Sequence, residues 1–250
     1  MISEPFWRYR LVVEYDGGPF AGWQRQDNVP TVQQVIEDAA LQFAPGACHC
    51  YGAGRTDSGV HALTMTAHLD IQKDMDAFAV MNALNALIRP HPIAITQSER
   101  TDKEFHARFS ATERQYLYRI VSRRAPLALE AGKAWHVPYA LDATAMADAA
   151  EVFVGTHDFT TFRSVHCQSK SPVKSVTDIA VSAKDEVIEI RLRAPSFLHN
   201  QVRSIVGTLE RVGAGRWTKA DVIAALRAAD RSRCGPVAPA AGLYFLKAVY

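Results

Sequence analysis

Two successive β-α-β-β-α-β patterns predict an α+β protein built from two ferredoxin-like (βαββαβ) domains with antiparallel sheets. Three observations carry this. Short β-rich segments, several with period-two apolar alternation, end at Gly/Pro clusters. Between them lie stretches with apolar residues at helical spacing, opened by capping residues. The 250 residues suffice for two domains of ordinary size, expected here at 1–104 and 105–250.

In chain order, residues 8–15 (Arg-Tyr-Arg-Leu-Val-Val-Glu-Tyr) read as a strand halted by Asp16-Gly17-Gly18-Pro19. Residues 20–26 form a loop whose Phe20, Trp23 and Arg25 could bind flat rings, although such aromatics more often pack inward as anchors. Thr31 and Gln34 read as a capping box. The helix it opens puts Val32, Val35, Ile36, Ala39, Ala40 and Phe43 on one face, and Pro45-Gly46 ends it. Strands are expected at 47–53 and 64–71; in the second, Met65, Ala67, Leu69 and Ile71 alternate with Thr66, His68 and Asp70. A helix at 76–87 and a strand at 93–98 complete the first pattern.

The second pattern begins with a strand at 115–122 and a short apolar piece at 134–138. A helix over 142–154, strands at 175–183 and 187–194, and a helix over 197–212 follow. Thr218-Lys219-Ala220-Asp221 opens another helix, and 243–250 reads as the closing strand. Segment 155–174 is polar and irregular, long for a connection, and so expected to be functional or mobile. The two antiparallel sheets can join, with a catalytic cleft between the domains.

No apolar run is long enough to span a membrane. The first eight residues lack the basic and apolar regions of a signal peptide, which predicts a cytoplasmic protein. Four scattered cysteines do not form a disulfide framework. Cys48-His49-Cys50 invites a metal reading, but in a strand His49 faces away from the two thiols. No second ligand pair completes a zinc site, so structural thiols are expected. Charge is uneven. Residues 1–159 hold 14 Lys+Arg against 19 Asp+Glu, a net of −5; residues 160–250 hold 14 against 7, a net of +7. A smaller basic concentration runs from Arg100 to Arg124. This asymmetry suits a polyanion, and a solvated basic face is the plainer alternative.

The densest chemistry lies in Gly52-Ala53-Gly54-Arg55-Thr56-Asp57-Ser58-Gly59-Val60-His61-Ala62. Glycines permit positive φ and close approach of a ligand to the backbone. Arg55 and Asp57 stand two apart, so in extended chain they face one side. A guanidinium beside a carboxylate keeps it ionised, as a nucleophile or base requires. A tight turn with a surface ion pair would use similar residues, but this stretch is longer than a turn needs. Further clusters are Phe105-His106-Ala107-Arg108, expected to bridge the domains, and Tyr116 with Tyr118 on one strand face. In the third, Asn200 and Arg203 lie one helical turn apart. A cation opening a mostly apolar helix points to a bound anion or a buried carboxylate. There is no P-loop, zincin, dinucleotide or nucleophile-elbow motif. The residues alone support an aspartate-centred, cofactor-free site.

Residues 54–62 resemble the G-R-T-D-x-G-V-H-A signature of the tRNA pseudouridine synthase A (TruA) family. Tyr15-Asp16-Gly17, Phe20, Gly22-Trp23-Gln24, Thr31-Val32-Gln33, Phe105 to Arg108, Arg114-x-Tyr116-x-Tyr118, Phe197 to Arg203 and Gly242-Leu243 are similar to its other motifs, in order. Ser58 stands where the family usually has Ala, and Gln201 replaces a usual Met. The resemblance implies isomerisation of uridine to pseudouridine at positions 38, 39 and 40 of the tRNA anticodon stem-loop, by a homodimer without cofactor or metal. It implies that Asp57 is the catalytic aspartate and that Tyr116 stacks on the flipped base. Arg55, Arg203 and Arg108 are implied to contact Asp57 or the substrate. Two rival readings are a non-catalytic RNA-binding module, which would not need Asp57, and an aspartate-dependent glycosidase, which would release free uracil.

Overall fold

The first strand, β1 (Trp7–Tyr15), buries Tyr9, Leu11, Val13 and Tyr15 on one face, the alternation its sequence predicts. The computed structural model describes residues 5–46 and 48–250. Residues 1–4, read for a leader, and Ala47, expected to open the second strand, lie outside them. The chain divides into two units, Met1–Thr112 with Tyr244–Tyr250, and Glu113–Leu243.

In the first unit β1 is followed by α1 (Val32–Phe43), β2 (Cys48–Gly52), β3 (His61–Ile71), α2 (Ala77–Leu87) and β4 (Ile93–Thr101). This is the predicted βαββαβ order. The strands lie in the order β4-β1-β3-β2, each pair antiparallel. Thr31 Oγ1 accepts the Gln34 N–H at the head of α1, and Asp76 accepts the Phe78 and Ala79 N–H groups at the head of α2. Each cap satisfies donors that a helix start leaves open. Glu37 on α1 is buried and accepts from Cys50 N–H (3.0 Å), Gln33 Nε2 (2.9 Å) and Arg25 (3.1 Å). Three donors offset the cost of burying that carboxylate and fasten the helix to β2. Burial, then the charge of Glu37, pushes the Cys48 thiol up to about 12, and burial raises Cys50 in the same way. Both stay protonated at neutral pH.

Two features of β3 depart from expectation. It begins at His61, three residues earlier than the apolar alternation suggests. Its polar positions are also buried, where alternation would expose them: Thr66, His68 and Asp70 are at most 5 % exposed. The reason lies in residues that cover that face. Arg8 forms a two-pronged pair with Asp70 (2.7 Å twice) and donates to the carbonyls of Lys103 and Phe105. Ala107 N–H donates to His68 Nδ1 (3.1 Å). Segment 102–112 is thus strapped over β3 inside the first unit.

The second unit contains β5 (Glu113–Ser122), β6 (Trp135–Val137), α3 (Ala143–Ala150), β7 (Gly155–Asp158), β8 (Val173–Val176), β9 (Asp178–Lys184), β10 (Val187–Ala194), α4 (Gln201–Gly213) and α5 (Lys219–Ala228). β10 pairs antiparallel with β5 and with β9, and β6 runs parallel to β5. α3 packs on β9 and α4. Segment 155–174 is not irregular throughout: β7 pairs with β8, and Phe159 and Phe162 between them are fully buried. The strand expected at 175–183 is consequently split, its first residues pairing with β7 and the rest with β10. α4 starts at Gln201, not near Phe197, because Asn200 holds a left-handed conformation (φ 63°) that a helix interior does not accept. α5 has a complete capping box, Thr218 with Asp221.

The chain then enters β11 (Leu243–Val249), predicted as the closing strand of the second pattern. Its Tyr244 and Phe245 pair in parallel with His61 and Ala62 of β3. Thr112 N–H donates to Val249 O (2.8 Å), and Tyr250 Oη donates to Ala107 O (2.7 Å). The strand therefore completes the first unit around residues set down long before it.

Candidate active site

The glycine-rich stretch forms the connection between β2 and β3. Ala53 N–H donates to Thr66 O (2.8 Å), which closes the start of the loop onto β3. Thr56 is buried between exposed Arg55 and half-buried Asp57, so its neighbours are the two that face outward. Thr56 Oγ1 shares a 2.8 Å hydrogen bond with Tyr15 Oη, and its carbonyl accepts from Trp23 N–H (3.0 Å). Val60 N–H donates to Asp57 O (3.1 Å), closing a turn over Ser58 and Gly59, the latter at φ 77°. Ser58 Oγ donates to Phe20 O (3.2 Å).

The segment after β1 is the brace for this loop. Phe20 and Trp23 are almost fully buried, so the aromatics of residues 20–26 anchor the segment and do not present rings to a ligand. Gly22 has φ 108°, and a Cβ there would lie 2.5 Å from Thr56 O. A Cβ on Gly17 would lie 2.0 Å from Val60 O. A Cβ on Gly52 would meet the Trp23 ring at 2.7 Å. The loop and its brace are pressed together, backbone to backbone at Gly17 and Gly22 and backbone to indole at Gly52, and glycine leaves the room these contacts need. His61, also buried, has Nδ1 at 3.0 Å from both Gly17 N–H and Asp16 Oδ1, and its ring stacks on Tyr244 at 4.8 Å.

Arg108, the third first-unit candidate, is exposed on the strap over β3, with its guanidinium 5.6 Å from the Phe109 ring centroid. In the second unit, Tyr116 lies on β5 opposite Leu192 of β10. It is half-buried and meets Phe197 edge to face (5.2 Å, 89°). Tyr118, two residues on, is fully buried and donates to Pro239 O (2.7 Å); burial raises its pKa, so its hydroxyl stays protonated. The two tyrosines share a strand face but not an environment. Arg203 Nε donates to Ala238 O (2.7 Å) and Nη1 to Asn200 Oδ1 (3.1 Å), so the predicted Asn200–Arg203 neighbours do meet. Gln201 Oε1 accepts the Leu198 N–H (2.8 Å) and closes the turn ahead of α4.

Asp57, Arg55 and Arg108 thus belong to the first unit, and Tyr116 and Arg203 to the second. Sequence reasoning overlooked the roles of Tyr15, as hydroxyl partner of Thr56, and Phe197, as wall against Tyr116. Both lie inside quoted motifs, but nothing in their spacing says what they touch. Among the described residues no group of three His, Cys, Asp or Glu is placed to hold a metal ion. Part of the basic excess of the second unit is neutralised locally, by Arg191–Glu189, Arg193–Asp178 and Lys219–Asp148 pairs.

A family model described as tRNA pseudouridine synthase matches residues 11–110 and 149–250, which takes in both halves of this arrangement. The chain belongs to the tRNA pseudouridine synthase family. This synthase is 54% identical over 243 residues to the tRNA pseudouridine synthase A of Maricaulis maris, covering 97% of this chain and 98% of that one. It is 56% identical to that of Parvibaculum lavamentivorans, covering 97% and 99%. It is 55% identical over 245 residues to that of Rhizobium leguminosarum bv. trifolii, covering 97% and 91%. A solved structure of an H/ACA RNP bound to a substrate RNA containing 2′-deoxyuridine aligns with 81% of the synthase and 44% of its own chain. Identity there is 11% and the TM-score 0.34.

Proposed function

We propose that the chain isomerises uridine to pseudouridine at positions 38, 39 and 40 of the tRNA anticodon stem-loop, with Asp57 as the catalytic carboxylate and Tyr116 as the platform for the flipped base. As a member of its family it is an isomerase acting on tRNA. The observation that carries the finer reading is the Asp57 loop. A half-exposed carboxylate beside an exposed arginine sits on a backbone wedged against its brace at Gly17, Gly22 and Gly52. Catalysis by a single carboxylate needs that kind of fixed presentation.

The reaction balances without a cofactor. The C1′–N1 glycosidic bond breaks with its electron pair passing to uracil. Asp57 either forms a bond to C1′ as nucleophile or takes a ribose proton as base. The uracil rotates and C5 bonds to C1′ as the C1′–Asp57 bond breaks or, on the base route, as Asp57 returns the proton to the ribose; the C5 proton then leaves and N1 gains a proton. Lifting the target base from its stack costs on the order of a few kcal/mol, and stacking on an aromatic ring offsets part of it. Phe197, edge-on to Tyr116, limits the positions that ring can take. In this reading Arg55 and Arg203 pair with Asp57 or with substrate phosphate, and Arg108 contacts the RNA.

The reading includes two ferredoxin-like domains, at 1–104 and 105–250 as the sequence divides them, with the cleft between. The β4-β1-β3-β2 order of the first unit supports that plan. It also includes a cytoplasmic location and a homodimer, the latter supported by the family resemblance and tested by a solution mass measurement. Among the described residues no helix is long and apolar enough to cross a membrane.

The test is incubation with uridine-labelled unmodified tRNA, followed by digestion. Pseudouridine at the anticodon arm is expected from the wild type. Asp57→Asn is expected to fold, bind tRNA and give no product. Turnover by that variant, or release of free uracil by the wild type, would overturn the reading.

A further inference from the structure

The first unit carries a second group of rings that the isomerisation does not use. Phe109 is 76 % exposed, although its neighbour Ala107 is fully buried. The Phe109 ring lies 4.4 Å from the His106 ring at 39°, and the Arg108 guanidinium is 5.6 Å from the phenyl centroid. His106 is in turn 4.6 Å from His68 and 5.6 Å from Tyr51, which is exposed and stacks on His68 at 5.0 Å. The backbone fixes the arrangement: His106 Nδ1 accepts the N–H groups of Arg108 (3.1 Å) and Phe109 (3.3 Å).

A single exposed apolar side chain is ordinary. A phenyl ring pinned outward by its own backbone, backed by an imidazole and flanked by a guanidinium, is a more specific arrangement. Burial, then the charge of Arg8, lowers the pKa of both His68 and His106. At neutral pH the backing rings are therefore uncharged, and the cation beside the Phe109 ring is Arg108. A π-face next to a cation is the combination by which proteins hold unpaired bases and their phosphates. The strap also sits in the basic run from Arg100 to Arg124, which holds seven basic residues against three acidic.

We propose that Phe109, backed by His106 and flanked by Arg108, stacks an unpaired nucleobase of the tRNA other than the uridine being isomerised. The proposal rests on the reading that the chain acts on tRNA. A second copy of the chain suits the site less well. A π-face beside a guanidinium is complementary to a base and its phosphate, and solution mass distinguishes the two occupants.

The experiment measures equilibrium binding of an unmodified tRNA transcript to the wild type, Phe109→Ala, Phe109→Leu and Phe109→Trp, with solution mass recorded for each. The Ala and Leu variants are expected to raise Kd about tenfold, and Trp to keep wild-type affinity, as loss or retention of one stacked base would require. Arg108→Gln is expected to reduce the salt slope of binding by about one. Wild-type affinity in Phe109→Ala overturns the proposal, as does full affinity in Phe109→Leu, which would make the contact merely apolar. A change of mass in Phe109→Ala also overturns it and makes the ring a subunit contact. Absence of tRNA binding by the wild type would overturn the tRNA reading as well; equal binding by wild type and Phe109→Ala removes this proposal alone.

Discussion

Thr56 shows how an uncharged residue fixes the loop between its two charged ones. Its hydroxyl meets Tyr15, its carbonyl meets Trp23, and the residues on either side turn outward. Gly22 makes this possible, since its φ of 108° lets the brace pass under the Thr56 carbonyl. Gly22→Ala combines a disfavoured conformation with a Cβ 2.5 Å from that oxygen. Strain of the first kind costs about 1–3 kcal/mol, and the collision adds to it. The expected outcome is a lower midpoint in denaturant unfolding, together with loss of activity larger than the unfolded fraction explains. A variant with wild-type stability would show that the loop can shift without cost. The signature in the sequence singled out Asp57 and Arg55 as candidates, but not this brace: a glycine shows that a side chain is excluded, not which backbone excludes it.

At the scale of elements, period and punctuation were the legible part. β1 alternates as read, α2 runs from its Asp76 cap to Leu87, and β10 keeps the expected bounds. What was not legible depended on partners distant in the chain. Asp70 and His68 read as outward residues of β3, yet they are buried because Arg8 and the strap at 102–112 cover them. The 155–174 segment read as irregular because β7 and β8 are only four residues each, too short to set a period. The start of α4 turned on one left-handed residue, Asn200. Arg8 deserves a direct test. Its two-pronged contact with Asp70 is nearly buried, and removing one partner of such a pair leaves an uncompensated charge, at a cost of about 3–5 kcal/mol. Arg8→Ala is expected to lose stability of that order in urea unfolding and to make the strap protease-sensitive. Loss of less than about 1 kcal/mol would mean that solvent reaches Asp70 readily.

For the whole molecule, His68 links stability to pH. Burial, then Arg8, then His106 lower its pKa to about 3, against 6.5 in an exposed histidine. Between those values the unfolded chain binds a proton that the folded chain refuses, so folding weakens as pH falls from 6.5 toward 3, by up to about 1.4 kcal/mol per pH unit. Above 6.5 the contribution is flat. Replacing His68 with Gln is expected to flatten the acid limb of a stability–pH curve, even if it lowers the plateau. An unchanged slope would place the acid sensitivity elsewhere.

The parallel pairing of β11 with β3 has a consequence in time. Thr64 Oγ1 donates to the Leu246 carbonyl, a partner 182 positions later. A chain leaves the ribosome from its N-terminus, so β3 and the loop ahead of it emerge before the whole of the second unit and must wait for a strand not yet translated. At roughly 5–20 residues per second, the wait is on the order of ten to forty seconds. Throughout it, the edge of β3 that β11 will occupy lacks its partner. The segment that presents Asp57 is therefore made long before the strand that completes its sheet.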